Sequence, residues 1–122
     1  MIRGIGTDIV ETDRISRAIK KDYFLKRAFT DSEIAMAKER NTDTFLAGNF
    51  AVKEAFVKAL GLGFRGIGLK DLEVLRDKYG KPFIRICNPE NIHLIDINEK
   101  NIYVSISNTN SLVVAMVVIE VD

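Results

Sequence analysis

Residues 45–63, FLAGNFAVKEAFVKALGLG, decide the fold, because they carry the longest helical signal of the chain. From Phe45 to Leu60 nearly every side chain is apolar or small, so this helix should be covered on most of its circumference. Three charged residues nevertheless lie inside it, namely Lys53, Glu54 and Lys58. Glu54 and Lys58 are four residues apart and share a face, and Lys53 stands about a quarter-turn away, so the pattern predicts one narrow polar stripe.

This stripe has two interpretations. In the first, Glu54 and Lys58 form an ordinary solvated surface pair worth about 0.2–0.5 kcal/mol. In the second the stripe is functional, and the residues after the helix favour this interpretation, since residues 61–68 contain four glycines. Gly61 can end the helix in the left-handed conformation, and the other glycines let backbone amides approach an anion. Carboxylate, ammonium and glycine loop together indicate a site for a phosphate and a metal.

The composition indicates one globular domain over residues 1–122. With 47% hydrophobic residues the chain can bury a core, but it is too short for two independent domains. A net charge of +1 does not indicate a nucleic-acid partner. No apolar stretch approaches the ~20 residues that span a bilayer and no signal-peptide pattern follows Met1, so we expect no membrane partner and a cytoplasmic location. The single Cys87 fits a reducing compartment and is expected to be a small buried residue.

The first predicted strand, Arg3–Val10, carries a charged residue in its middle. Ile5, Ile9 and Val10 are apolar as a strand requires, whereas an aspartate such as Asp8 is depleted in strands and costly to bury alone. Asp8 is therefore expected to face solvent, to form a salt bridge or to bind a cation.

A basic face follows this strand. Glu11, Thr12 and Asp13 offer capping oxygens for a short helix from about Arg14 to Lys21, on which Arg14, Arg17 and Lys21 share one face. The sequence from Thr30 to Glu33 then matches a capping box that opens a helix to about Arg40. The basic face either keeps the protein soluble or docks an acidic partner.

The second half of the chain predicts strands. Leu72–Arg76 and Pro82–Ile86 match a hairpin, and Ile102–Ser107 and Leu112–Val121 are two further strands joined by a polar turn. Asn88–Lys100 fits a loop or a strand equally well. The pattern therefore predicts an α+β domain with a mostly antiparallel sheet packed on the long central helix.

Few kinds of chemistry fit these residues. The single histidine, His93, has no serine or carboxylate partner beside it in sequence, so we expect it to be structural. The nucleotide loop GxxxxGK[ST] and the zinc motif HExxH are both missing from the sequence. What remains is oxygen-ligand chemistry, with carboxylates that suit magnesium and lysines that suit phosphate.

Four segments in order resemble one enzyme family. GIGTDIVE at residues 4–11 and FAVKEAFVKALG at residues 50–61 are similar to the two signature motifs of the holo-[acyl-carrier-protein] synthases, the short-chain 4′-phosphopantetheinyl transferases. GKP at residues 80–82 and VSIS at residues 104–107 agree as well. The resemblance implies transfer of phosphopantetheine from coenzyme A to a serine of apo acyl carrier protein, with release of adenosine 3′,5′-bisphosphate.

The resemblance also implies roles for individual residues. Asp8 and Glu54 would bind Mg²⁺, Lys58 would lie beside the transferring phosphate, and Glu54 or a metal-bound water would take the serine proton. The coenzyme would be surrounded by Lys58 and by a further set of residues, namely Lys53, Gly61, Gly63, Lys81, Pro82 and Asn108. The basic face would dock the acyl carrier protein through Arg14, Arg17, Lys21, Phe24 and Arg27.

The resemblance further implies a homotrimer that binds coenzyme A where subunits meet. The strand Val113–Val121 points the same way, because both of its faces are largely apolar and one domain has helices for only one of them. A self-associating sheet face would close into a ring. The alternative is that Asn88–Lys100 folds over the second face.

Three positions depart from the family pattern. Many members carry a histidine where this chain has Asn108, a basic residue where it has Asn49, and a threonine where it has Leu62. The two asparagines supply no charge, so coenzyme A would be bound more weakly or with other support. The competing function is a non-catalytic module that binds coenzyme A or a nucleotide as a regulator through the same lysines and glycines.

Overall fold

The computed structural model describes residues 1–61, 63, 66–92 and 97–121. Strand β1 is followed by four helices and then by four more strands. Their bounds are β1 Ile2–Glu11, α1 Thr12–Ala18, α2 Asp22–Ala28, α3 Asp31–Lys38, α4 Thr42–Leu60, β2 Leu72–Arg76, β3 Pro82–Ile86, β4 Ile102–Asn108 and β5 Leu112–Glu120. Short 3₁₀ turns occupy Leu69–Asp71, Pro89–Ile92 and Glu99–Asn101. The predicted α+β class is confirmed.

The strands form two antiparallel sheets. The larger sheet has the order β1-β5-β4, with β5 in the middle, and β2 and β3 pair separately as the predicted hairpin. The sequence prediction spoke of one sheet, because the alternation of side chains within a strand does not show which strands will pair. Of the ambiguous segment Asn88–Lys100, the described parts form two 3₁₀ turns, and residues 93–96, including His93, lie outside the described residues.

Capping explains where two of the helices begin. The Thr30 hydroxyl accepts a hydrogen bond from the Glu33 amide and the Glu33 carboxylate accepts one from the Thr30 amide, so the predicted capping box is confirmed. Helix α4 begins at Thr42, three residues before the apolar pattern does, because the Asn41 side chain accepts a hydrogen bond from the Thr44 amide.

Two expectations near the ends of elements were wrong. The helix expected from Arg14 to Lys21 instead spans Thr12–Ala18, and the side chain of its N-cap residue, Glu11, makes no capping hydrogen bond. Cys87 is exposed and not buried, because it follows the last residue of β3, Ile86, and so lies outside the sheet.

Helix α4 lies directly on the backbone of β1. A Cβ atom added at Gly4 would stand 1.9 Å from the Ala59 carbonyl oxygen, and one added at Gly6 would stand 1.8 Å from that of Ala55. Real Cβ atoms essentially never come this close, so only glycine fits at either position. Gly4, Gly6 and Asp8 are two residues apart in a strand and therefore share the face that looks at α4.

The larger sheet has one covered face and one open face. On β5 the side chains of Val113, Ala115, Val117 and Ile119 are fully buried towards α4, whereas Val114 and Met116 are each more than 40% exposed. Ile5 and Ile9 of β1 and Tyr103 of β4 extend this open face, and each is about half exposed. These five apolar side chains are thus exposed together on one face of the sheet. The alternative that Asn88–Lys100 folds over this face stays open, because residues 93–96 lie outside the described residues. Among the described residues, no helix is long and apolar enough to cross a membrane.

We predict that Gly6→Ala destabilises the protein by about 3 kcal/mol, because the new methyl group would overlap a helix carbonyl that cannot move alone. Gly48→Ala is the control, since Gly48 is also buried, in the first half of α4, but an added Cβ would have no neighbour closer than 3.7 Å. That variant should gain up to about 1 kcal/mol from helix propensity. Urea unfolding of both variants measures the difference, and equal stabilities would contradict the proposed close contact.

Candidate active site

Asp8 and Lys58 meet where α4 crosses β1. The Lys58 ammonium lies 3.2 Å from the Asp8 carboxylate and donates a second hydrogen bond, 3.0 Å long, to the Thr7 carbonyl oxygen. Asp8 is largely covered, with 17% of its side chain exposed, whereas 57% of the Lys58 side chain reaches solvent. Of the interpretations that the sequence left open for Asp8, the salt bridge is therefore present.

Glu54 lies one helical turn before Lys58 and is half-buried. Its pKa is raised, first because burial disfavours the charged carboxylate and then because the Asp8 carboxylate repels it. Lys58 and Arg14 act in the opposite direction and lower the pKa of Glu54, but they do not outweigh burial. The pair of carboxylates thus concentrates negative charge at a partly desolvated position.

Asp8 and Glu54 can hold Mg²⁺ only if water and substrate supply its other ligands. The described residues contain no group of three or more His, Cys, Asp or Glu side chains that could hold a metal ion by themselves. Mg²⁺ is commonly bound by one or two carboxylates and completes its six ligands with water and substrate phosphates. Asp8 and Glu54 match that donor set, so a phosphate and the cation would have to bind together.

Two open clefts flank the carboxylates. One, of about 480 Å³, is lined by Glu54, by Arg27 and by residues 67–71. The other, of about 240 Å³, is lined by residues 7–9, Lys58 and Val114. Reactants can therefore approach the pair from both sides.

The glycines after α4 follow Lys58 by three and five residues. Gly61 has φ 79° and ends the helix in the left-handed conformation, as expected, and its amide is bonded to the Val57 and Lys58 carbonyl oxygens. Gly63 also has a positive φ of 62°, and a Cβ at either glycine would find no atom within 4 Å. Leu62 between them lies outside the described residues.

Lys53 does not belong to the polar stripe, and this corrects the sequence analysis. Its side chain is fully buried, and its ammonium is 2.6 Å from Glu33 and 2.8 Å from each of the Ala28 and Leu69 carbonyl oxygens. A quarter-turn along α4 is enough to turn Lys53 into the core while Glu54 faces a cleft. Since all three N–H donors of Lys53 have acceptors, we withdraw the expectation that it contacts the coenzyme.

Pro82 and Asn108 lie together, but at the other end of α4. They line a cleft of about 230 Å³ with Gly48, Phe45 and other residues, whereas Lys81 is exposed beside it in the β2–β3 hairpin. Gly48 precedes Lys58 by ten residues, which is about 15 Å along a helix. The residues expected around the coenzyme thus form two separate groups on one chain.

The sequence analysis missed Arg76, which lines this second cleft. Its guanidinium stacks 4.5 Å from the Phe45 ring centre and donates a hydrogen bond to the Asn49 side-chain oxygen. Burial and the nearby Arg40 guanidinium lower the pKa of Arg76 to about 10. The Glu33 carboxylate acts in the opposite direction, but within the described part of the chain no carboxylate lies at ion-pair distance from Arg76. Arg76 therefore gives the cleft a positive charge. The position of Arg76 at the end of a predicted strand did not indicate that it would line a cleft.

The predicted basic face borders the Glu54 cleft. Arg14, Arg17, Lys21 and Arg27 are exposed, and Arg27 lines the cleft itself. Phe24 is half-buried and packs on Phe29 and Phe50, with ring centres 6.3 and 6.2 Å away, so it supports this surface from the core side.

Comparisons with known proteins agree on one family. A family model described as the 4′-phosphopantetheinyl transferase superfamily matches residues 4–117. The chain is 51% identical to a holo-[acyl-carrier-protein] synthase of Clostridium botulinum and 48% identical to that of Clostridium beijerinckii, over 99% and 98% of both partners respectively. Among solved structures, the chain is similar to the synthase of Bacillus anthracis in complex with CoA (3′,5′-ADP), with a TM-score of 0.83 and 35% identity over 100% of this chain and 99% of that one. The synthase of Neisseria meningitidis gives 0.86 and 33%, over 98% and 99%.

We predict that Glu54→Gln stabilises the protein at pH 7 in the presence of a chelator. A raised pKa in the folded state means that folding becomes less favourable as the pH rises from the unfolded value of 4.5 through the folded value, where Glu54 must ionise. The variant escapes this loss, so its melting temperature should exceed that of the wild type at pH 7 and approach it below pH 4.5. Glu39→Gln removes a similar charge from the exposed end of α3 and is the control. Equal melting temperatures for Glu54→Gln and wild type at pH 7 would contradict the raised pKa.

Proposed function

The chain belongs to the 4′-phosphopantetheinyl transferase superfamily, and from this premise we propose that it is a holo-[acyl-carrier-protein] synthase. It would transfer the phosphopantetheine arm of coenzyme A to a serine of apo acyl carrier protein and release adenosine 3′,5′-bisphosphate. The observation that supports this most directly is the convergence of Asp8, Glu54 and Lys58 between two open clefts. The coenzyme bound to the Bacillus anthracis relative supports the choice of donor.

The three charged side chains divide the work of phosphoryl transfer. Asp8 and Glu54 would hold Mg²⁺, which when bound neutralises the charge of the coenzyme's diphosphate. The described residues supply two acceptors to the Lys58 ammonium, so its third N–H can donate to a phosphate oxygen. A fixed donor there stabilises the negative charge that develops on the leaving bisphosphate.

Glu54 is the residue best placed to accept the proton of the attacking serine. Its carboxylate lines the larger cleft, from which the serine would approach, and a water held by the cation is the alternative acceptor of the proton. The basic face that borders this cleft would dock the acidic acyl carrier protein and bring the serine to it. We therefore propose Arg14, Arg17, Lys21 and Arg27 as the charged docking residues, supported by Phe24.

Our central prediction is that Glu54→Gln abolishes transfer while the protein stays folded. The amide cannot hold the cation or accept the proton, so the turnover number should fall by about 100-fold or more. The measurement is Mg²⁺-dependent release of adenosine 3′,5′-bisphosphate from coenzyme A, with and without apo acyl carrier protein. Glu39→Gln should turn over normally.

Two outcomes of this assay would count against the proposal. Near-normal turnover in folded Glu54→Gln would remove Glu54 from the chemistry. Tight binding of coenzyme A by the wild type, with no release of bisphosphate under any condition, would favour the non-catalytic binding module instead.

We further propose that coenzyme A contacts both groups of predicted residues. Lys58, Gly61 and Gly63 would hold its diphosphate end. At the second cleft Lys81, Pro82 and Asn108 would hold the nucleotide, and Arg76 would supply the charge that Asn49 and Asn108 lack for the 3′-phosphate. Two observations support this. The Arg76 guanidinium lines the second cleft, and it donates a hydrogen bond to Asn49.

The two ends of the molecule should respond separately to loss of charge. Arg76→Gln should raise the KM for coenzyme A about tenfold or more, but leave the KM for 3′-dephospho-coenzyme A and for carrier protein unchanged. Arg17→Glu should raise the KM for carrier protein, mostly at low salt, and leave that for coenzyme A unchanged. Each variant is the control for the other, and a variant that raised both constants alike would contradict its assignment.

We propose that the protein assembles as a homotrimer through the open face of the larger sheet. Ile5, Ile9, Tyr103, Val114 and Met116 expose apolar surface on one continuous face, which a second copy would bury. The arrangement we propose brings the second cleft of one copy beside the carboxylates of its neighbour. It is motivated by the separation of Gly48 and Lys58 within one chain, which is about 15 Å along α4. One coenzyme A would therefore contact two protomers.

Light scattering at micromolar concentration should report about three times the monomer mass of 13.7 kDa. Met116→Asp should break the assembly and transfer together, because it places a charge on the open face. Val117→Asp is unsuitable as a test, since Val117 is buried against α4 and the change would unfold the protein. A fully active monomer would contradict the trimer.

The same function implies a place in the cell. Carrier proteins receive their arm before they carry acyl chains, so we propose a cytoplasmic protein that serves fatty acid biosynthesis. Cell fractionation tests the location, and accumulation of apo carrier protein on depletion of the enzyme tests the role.

A further inference from the structure

Lys53 is a fully buried lysine that the proposed chemistry does not use. Its ammonium has three N–H donors and three acceptors at 2.6–2.8 Å, which are the Glu33 carboxylate and the carbonyl oxygens of Ala28 and Leu69. The two carbonyl groups belong to segments far apart in sequence, so the ammonium joins α2, α3 and the turn before β2.

Glu33 is equally satisfied. Besides Lys53, its carboxylate accepts hydrogen bonds from the amides of Thr30 and Val74 and from the Asn49 side chain, and it is fully buried. A buried network whose members all have partners is rigid, because any displacement leaves a charge or dipole uncompensated. The Glu33–Lys53 pair is therefore a fixed point in the core.

The two carbonyl groups belong to two segments that contribute to the lining of the 480 Å³ cleft. Ala28 is the last residue of α2 and follows Arg27, which lines the cleft, and Leu69 belongs to residues 67–71, which line it as well. Arg27 and residues 67–71 are called the two walls of the cleft. Glu54, the next residue after Lys53 in α4, lines the same cleft. A single ammonium thus holds both walls to the helix that carries the proposed base.

We propose that Lys53 is a positioning residue, which sets the separation of the two cleft walls around Glu54 and so aligns the reactants without touching them. This inference rests on the proposed transferase function. Lysine is required because the tie needs three donors on a flexible stem, and no apolar side chain of similar length can donate to the two carbonyl oxygens.

The test compares Lys53→Met with Glu33→Gln/Lys53→Met. The single variant leaves the Glu33 charge buried without a cation and should be much less stable than the wild type. The double variant removes that charge, and its amide keeps an oxygen for Asn49 and Val74, although the Thr30 amide loses its acceptor. Part of the lost stability should therefore return. Lys38→Met, at the exposed end of α3, is the control for loss of a lysine.

Activity is measured at a low temperature at which every variant is folded. We expect the turnover number to fall about tenfold or more in both variants, because misplacement by about 1 Å is costly in group transfer. In Lys53→Met the KM for coenzyme A should change less than twofold, since neither Lys58 nor Arg76 loses a partner. In the double variant the turnover number alone is compared, because Glu33 is bonded to Asn49, which binds Arg76. A purely structural role predicts the reverse, namely that the turnover number recovers in the double variant together with the melting temperature, and that outcome would overturn the proposal.

Hydrogen exchange separates this inference from the proposed function. In the double variant, amides of residues 27–29 and 66–71 should exchange at least tenfold faster than in the wild type, while β5 stays protected. If the exchange rates of both segments stayed unchanged, the proposal that Lys53 holds the two walls together would be wrong, regardless of the transferase activity. If the wild type showed no transferase activity, the proposed function would fail, and faster exchange would still support Lys53 as the tie between the walls.

Discussion

The contact between the bare backbone of β1 and the carbonyl groups of α4 determines where every charged group of the site lies. Gly4 and Gly6 let the strand approach the helix so closely that no side chain fits between them. Because side chains alternate along a strand, Asp8 is the next residue on that face, and its carboxylate meets Lys58. The glycines thus determine where Asp8, the proposed ligand of the cation, lies.

This close packing also explains why the site costs stability. α4 is buried over most of its length, and Glu54 shares that environment enough for burial to raise its pKa. A carboxylate that is partly desolvated beside another carboxylate is unfavourable in the free protein, but it attracts a divalent cation and accepts protons readily. Stability and function are therefore opposed at this residue.

Two lysines five residues apart in α4 differ in role because their surroundings differ. Lys58 has one carboxylate partner, is half exposed and keeps a donor for a substrate. Lys53 has a carboxylate partner of the same chemical kind, but is fully buried and has no donor to spare. One cation is available for chemistry, whereas the other holds the walls within which the chemistry would take place.

The amino-acid sequence by itself determined the features that depend on neighbours along the chain. Apolar periodicity predicted α4, and Gly61 predicted where it ends. The capping box predicted the start of α3, and the ordered motifs indicated the family. The tertiary structure alone decided the rest. Lys53 is buried against Glu33, which lies 20 residues away in the sequence, and Arg76 binds Asn49 across 27 residues. Cys87 is exposed where β3 ends. Such outcomes depend on which surfaces come together in space, and the periodicity of a single helix or strand holds no information about its partner.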